Sequence, residues 1–151
     1  MHHRFSWAAV LLSSLLLPLG GCWGSSTSRP AALPLVWIEE GIEHQGVSIS
    51  LGYRGAAPDV DGVIEPVASI TRDGQPFPGA MVFIALMAPG GNAKDETPVA
   101  DVATLYEPPG ERSVGLYTAG KLPVPTGAKS ARFRIVLPQV ETDYTHEVPL
   151  P

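Results

Sequence analysis

The stretch Val47-Ser48-Ile49-Ser50-Leu51-Gly52-Tyr53 decides how this chain folds. Large apolar residues take every second position, and small residues fill the places between them. A period of two belongs to a strand with one face in a core and the other toward solvent. A helix would repeat its apolar residues every three or four positions. Val47, Ile49, Leu51 and Tyr53 are therefore expected to point inward together. The same alternation returns near the far end of the chain, in Ala131-Arg132-Phe133-Arg134-Ile135-Val136-Leu137. There Ala131, Phe133, Ile135 and Leu137 make the inner row, and Arg132 and Arg134 point outward.

Working outward from these two strands, the pattern is weaker but continuous. Leu35-Val36-Trp37-Ile38 predicts a short first strand. Residues 63–71 predict another, with Ile64, Ala68 and Ile70 on one side. Pro66 has no N–H to give to a ladder, so an edge position or a bulge is expected there. Residues 80–88, Ala-Met-Val-Phe-Ile-Ala-Leu-Met-Ala, are apolar throughout. Pro78-Gly79 and Pro89-Gly90-Gly91 limit them to strand length, and such a run predicts a central strand buried on both faces, or with one face covered by a partner. Val82, Phe83, Ile84 and Leu86 are its expected core residues. Further strands are expected over residues 99–106, 114–118 and 144–150. Loops are expected over 55–62, 90–98 and 107–112, with a Pro-rich connection at 122–127. Seven or eight short strands with frequent turn signals predict an all-β fold, a single antiparallel sandwich of two sheets.

Composition supports this and excludes other classes. The chain has 151 residues, with 16 Gly and 16 Pro, too many breakers for a helical bundle or a coiled coil. The formal charge of −5 opposes non-specific nucleic-acid binding, which needs a basic surface. One Cys allows neither an internal disulfide nor a cysteine-based metal cluster.

That Cys sits in an informative place. Arg4 opens a short basic segment, residues 7–19 are an uncharged and mostly apolar run, and Leu19-Gly20-Gly21-Cys22 follows. The run is shorter than the roughly 20 residues of a membrane span and reads as an export leader. The tetrapeptide resembles the bacterial lipoprotein box. The resemblance implies cleavage between Gly21 and Cys22, diacylglyceryl attachment to Cys22, and a membrane anchor on the extracytoplasmic side. Trp23 stands where an aspartate would resemble an inner-membrane retention signal, which points to the outer membrane if the cell is Gram-negative. Residues 24–32 are small and polar, a tether spanning roughly 15–18 Å on average. The expected organisation is a leader over 1–21, the lipidated Cys and tether over 22–32, and the sandwich over 33–151.

A second resemblance rests on Asp73-Gly74-Gln75-Pro76, Pro78-Gly79-Ala80-Met81-Val82 and Gly115-Leu116-Tyr117. Together they resemble bacterial immunoglobulin-like extracytoplasmic domains, nearest the YtkA-like group, over about residues 63–137. The resemblance implies an immunoglobulin-like sandwich and an extracytoplasmic setting, not an activity. Gly115-x-Tyr117 also resembles a tyrosine corner, in which the hydroxyl bonds a nearby backbone group.

Candidate sites are few. Beyond the leader only His44 and His146 remain of the four histidines, and with Met81 and Met87 they could in principle serve copper. Some relatives of such domains suggest copper handling, and this is the alternative reading. Against it, the methionines are six strand positions, or about 20 Å, apart, and His44 and His146 beside Glu43 and Glu147 read as surface residues. Asp59 and Asp61 flank Val60 in a loop, but two carboxylates fall short of the roughly six to eight oxygens calcium takes. No nucleophile and base occur in a catalytic context, so the protein is read as non-enzymatic, without a cofactor or metal. The remaining candidates form a recognition surface: the rigid loop Glu107-Pro108-Pro109-Gly110-Glu111-Arg112, the segment Leu122-Pro123-Val124-Pro125-Thr126, and Arg132 with Arg134. The function expected is a lipid-anchored structural or protein-binding module of the cell envelope. A protein partner, but no nucleic acid, is expected.

Overall fold

Strands and their connections account for all described residues of the computed structural model, which are 33–55, 57–58, 61–89, 96–98, 101–111 and 113–151. The leader, Gly21, Cys22, the tether to residue 32, Asp59, Val99 and Arg112 lie outside them. The strands are β1 (Leu35–His44), β2 (Val47–Arg54), β3 (Val63–Arg72), β4 (Gln75–Pro76), β5 (Met81–Pro89) and β6 (Glu96–Pro98). Then follow β7 (Val102–Ala103), β8 (Leu105–Glu107), β9 (Leu116–Thr118), β10 (Leu122–Pro123), β11 (Ser130–Val136) and β12 (Tyr144–Pro149).

They form two antiparallel sheets. One has the order β1-β2-β3-β9-β8, with β4 and β10 also on β3. The other has the order β12-β11-β5-β6, with β7 also on β5. In immunoglobulin lettering β2, β3, β9 and β8 are A, B, E and D, and β12, β11 and β5 are G, F and C. The sandwich is thus of the immunoglobulin type, with β1 added outside strand A. The additional pieces β4, β6, β7 and β10 have two or three residues each; β6 and β10 lie where a loop and a Pro-rich connection were expected, and β7 lies in the segment 99–106 expected as a strand.

The two sheets share one core. Val47, Ile49, Leu51 and Tyr53 from β2 and Ile64, Ala68 and Ile70 from β3 face Val82, Ile84 and Leu86 from β5. Ala131, Phe133, Ile135, Leu137 and Val148 complete it. Register places Phe133 between Ile84 on β5 and His146 on β12. Two phenols fasten this core with polar bonds. Tyr53 Oη donates to the Pro149 carbonyl, 3.0 Å away, from one sheet to the other. Tyr117 Oη donates to the Phe77 carbonyl at 2.6 Å and accepts from the buried Ala80 N–H at 3.1 Å. Burial pushes the Tyr53 phenol well up from its usual range and raises Tyr117 as well, where the Ala80 N–H partly offsets it. Both stay protonated and able to donate.

Tyr117 does the tying that its motif implied, but at another place. It stands on β9, the E strand, and its partners lie 37 and 40 residues earlier in the chain rather than a few. Gly115, two residues earlier, leaves room for Pro76 and Tyr106: a Cβ there would come within 2.8 Å of Pro76 Cβ and 3.0 Å of Tyr106 Oη. Tyr117→Phe should lower stability by about 1–3 kcal/mol, because it leaves a buried N–H unpaired. Urea melts of the two proteins check this.

Four expectations are corrected. The first strand extends from Leu35 to His44 instead of ending at Ile38. Register shifts after Trp37 and after Glu39 insert extra residues, and these bulges break the alternation that would have announced the strand. Pro66 is in a central strand, not at an edge. It pairs with Tyr53 on one side and on the other lies opposite the break between the β9 pairing at Val67 and the β10 pairing at Ile64. Phe83 is not in the core: β5 buries Ala85 and Met87 on its outer row, but Phe83 there is half-buried and Met81 exposed. Finally, the segment expected as one strand over 99–106 divides between the sheets, β7 pairing with β5 and β8 with β9.

Candidate functional site

The chain changes sheets at Thr104. Its backbone N–H and its Oγ1 both donate to the Val82 carbonyl, each at 3.0 Å. This double bond to β5 releases the next residues to run as β8, the outermost strand of the other sheet. Among the described residues β8 pairs with β9 on one side only. Its first residue, Leu105, is 79% exposed, the most open large apolar side chain among the described residues. Leu105, Ala103, Tyr106, Pro108 and Ala119 line a groove of about 480 Å³, with Glu107 and Thr118 at its polar rim. An open strand edge beside an apolar groove is the geometry that receives an extended peptide, whose backbone extends the sheet and whose side chains fill the groove.

The rim is held by charge. Arg54 at the end of β2 donates from one Nη to Glu65 Oε1 and from the other to Glu107 Oε2, each at 2.6 Å. Thr118 Oγ1 donates to the same Glu65 oxygen at 3.2 Å. The bond to Glu107 raises the Arg54 pKa, burial opposes it, and the charges of Glu65 and Glu107 add to it, so the guanidinium is held charged. These residues lie on the solvent row of their strands, opposite in phase to Tyr53 and Ile64. One cation between two carboxylates ties β2, β3 and β8 together beside the groove.

Of the expected recognition surface, the loop after Glu107 contributes most. Glu107 and Pro108 line the groove, and Gly110 closes the loop with N–H donation to the Ser113 carbonyl at 2.8 Å. Leu122 and Pro123 are not a free Pro-rich loop but pair with Ile64 and Val63. Arg132 and Arg134 do point outward, yet both are engaged. Arg132 reaches Asp101 at 3.1 Å, Arg134 reaches Asp143 at 3.1 Å, and the Arg134 guanidinium lies 4.1 Å over the Phe83 ring.

The metal candidates do not assemble. Met81 is 59% exposed at the start of β5, and Met87 is buried toward its end. His44 and His146 are not surface residues but stand half-buried on the core-facing rows of β1 and β12. Among the described residues no three His, Cys, Asp or Glu side chains are grouped so that they could hold a metal ion. Asp61 is described but its companion Asp59 is not, so their loop lies partly outside the structure.

Leu105, Arg54 and Glu65 were missed by the sequence reading. Arg54 and Glu65 carried a usable signal, since each continues the outward phase of an alternating strand. Leu105 carried none, because nothing local separates an apolar residue on an open edge from one in a core. Comparison of the chain with family models, with curated proteins and with solved structures finds no match.

Proposed function

We propose that this is a lipid-anchored, non-enzymatic protein of the cell envelope whose sandwich binds an extended segment of a protein partner along β8. The supporting observation is Leu105, 79% exposed above an apolar groove on a strand edge that no other described strand covers. Monomeric domains usually keep such an edge short, place charge or proline on it, or cover it; β8 is three residues long and followed by Pro108, yet it opens on an exposed apolar side chain. Here the nearest carboxylate, Glu107, is turned into the ion pair with Arg54. The anchor rests on the lipoprotein-box resemblance at Leu19-Gly20-Gly21-Cys22, and the extracytoplasmic setting on that and on the YtkA-like resemblance.

Two measurements test the parts separately. A photo-crosslinking residue placed at Leu105 should give a discrete protein adduct in intact cells, and one at the exposed Glu141 should not. The same yield and pattern at both positions, or none at Leu105, would end the β8 reading. Cys22→Ser should abolish labelling by a fatty-acid probe and move the protein from membrane to soluble fractions. A labelled, membrane-bound Cys22→Ser protein would end the anchor.

A further inference from the structure

The outer row of β5 is covered unevenly. Ala85 and Met87 are buried there, Phe83 is half-buried, and Met81 is 59% exposed. The Arg134 guanidinium, held by Asp101 and Asp143, lies over Phe83 and bounds the open part on that side. Register carries the open part in two directions. On β11, the half-buried Val136 is opposite Met81. On β7, the exposed Ala103 is opposite Phe83. Thr104 comes next in the chain, and its N–H donates to the carbonyl of Val82, the residue after Met81. Leu105 follows directly. The bond at which the chain changes sheets thus brings Met81 and Leu105 to one corner of the sandwich. They are the two most exposed large apolar side chains among the described residues.

We propose that the partner segment held along β8 continues past Leu105 onto Met81, and that it presents two large apolar side chains, one to the groove and one to the surface of Met81 and Val136. This rests on the β8 reading and adds to it the class of sequence that is accepted. Single exposed apolar residues are ordinary on a protein surface, but contiguous ones mark contact sites. An open strand edge runs into this surface, and only a polypeptide can use both, with its backbone on the edge and its side chains on the corner.

The chemistry of the corner defines the segment. β8 has three residues, so few backbone bonds can form and side-chain contacts carry the remainder. The Met81 side chain is unbranched and polarizable, and it fits aliphatic and aromatic partners alike. The neighbouring arginines are already engaged: Arg132 by Asp101, Arg134 by Asp101 and Asp143, and Arg54 by Glu65 and Glu107. A charged side chain laid against Met81 or Leu105 would lose water and gain no counter-charge. The segment is therefore extended, and large, apolar and uncharged at both contact points.

A photo-crosslinking residue at Met81 of the full chain, in intact cells, tests this. It should join the same partner protein as one at Leu105, and peptide mass spectra should place both adducts within one segment that is apolar at the two points of attachment. Met81→Asp, a surface change too short to turn its charge away, should lower the yield at Leu105 by about tenfold or more. Met81→Leu, which conserves volume, should keep the yield within about twofold. So should Leu33→Asp, at an exposed apolar residue beside Gly55 instead of at this corner. An adduct at Leu105 with none at Met81, or with a different segment there, would overturn the extension and leave the β8 reading standing. A Leu105 yield unchanged by Met81→Asp, a captured segment charged at either point, or a Met81 adduct with lipid or with a second copy of this chain would do the same. No adduct at Leu105 would end both.

Discussion

Phe133→Ala is expected to cost about 3–5 kcal/mol, the range for removing a fully buried aromatic side chain and leaving a cavity. Phe133 is fully buried, opposite Ile84 on one neighbouring strand and His146 on the other. Its place is filled from both sheets, so neither can collapse into the void without moving the other. Domains of this size have about 5–15 kcal/mol in total, so the loss is a large share. The adjoining residues on β11 provide the contrast. Arg132 and Arg134 point to the opposite face, as alternation requires. Alternation alone would put their truncation below about 0.5 kcal/mol. Their ion pairs, and the stacking of Arg134 on Phe83, raise the expectation for Arg134→Ala to about 0.5–1 kcal/mol. Urea melts of the three variants decide the matter. Arginine variants as damaging as Phe133→Ala would show that the register of β11 is wrong.

Gly52→Ala is the second large effect, and it acts through backbone. Gly52 is buried in β2 opposite Trp37. A Cβ at Gly52 would overlap the Val36 carbonyl oxygen and lie 2.9 Å from Trp37 Cα. Those atoms belong to β1 at its first register shift and have no rotamer by which to move aside. The added methyl should therefore cost at least 2–3 kcal/mol, in the upper part of the usual overpacking range of about 1–3 kcal/mol, and should loosen β1 before the rest. A urea melt measures the first effect, and hydrogen exchange over residues 35–44 measures the second. Ser48→Ala, on the same outward row of β2, serves as the control and should stay within about 0.5 kcal/mol. A Gly52→Ala protein as stable as its parent would mean that β1 does not pass so close to β2.

Much of the fold was legible because the two strands that define it alternate cleanly. In β2 the residues between the large apolar ones are small, and in β11 they are Arg132, Arg134 and the half-buried Val136; burial alternates without exception from Val47 to Leu51 and from Ala131 to Leu137. Strand periodicity is a local property, so a short window of sequence contains it. The turn at Asp73-Gly74 is local in the same way: both residues have positive φ, a conformation that Asp tolerates and Gly favours. The continuous apolar run in β5 correctly indicated a central strand. It could not separate Phe83, under the Arg134 guanidinium, from Ile84 in the core.

The sequence by itself thus determined the fold class, the strands of the core and the faces of β2 and β11. Each depends on residues that are neighbours in the chain. Tertiary structure alone decided the rest. The bulges of β1 turn Glu39 and His44 toward the core row, where the opposite sheet supplies Tyr144 and His146 about a hundred residues later. The change of sheet at Thr104 leaves Leu105 on an open edge, and Arg54 finds Glu107 only because β8 comes to lie in its sheet. The groove and the meeting of β1 with β12 both bring together segments far apart in sequence. Such contacts depend on which strands become neighbours and in what register, and no local pattern of side chains carries that information.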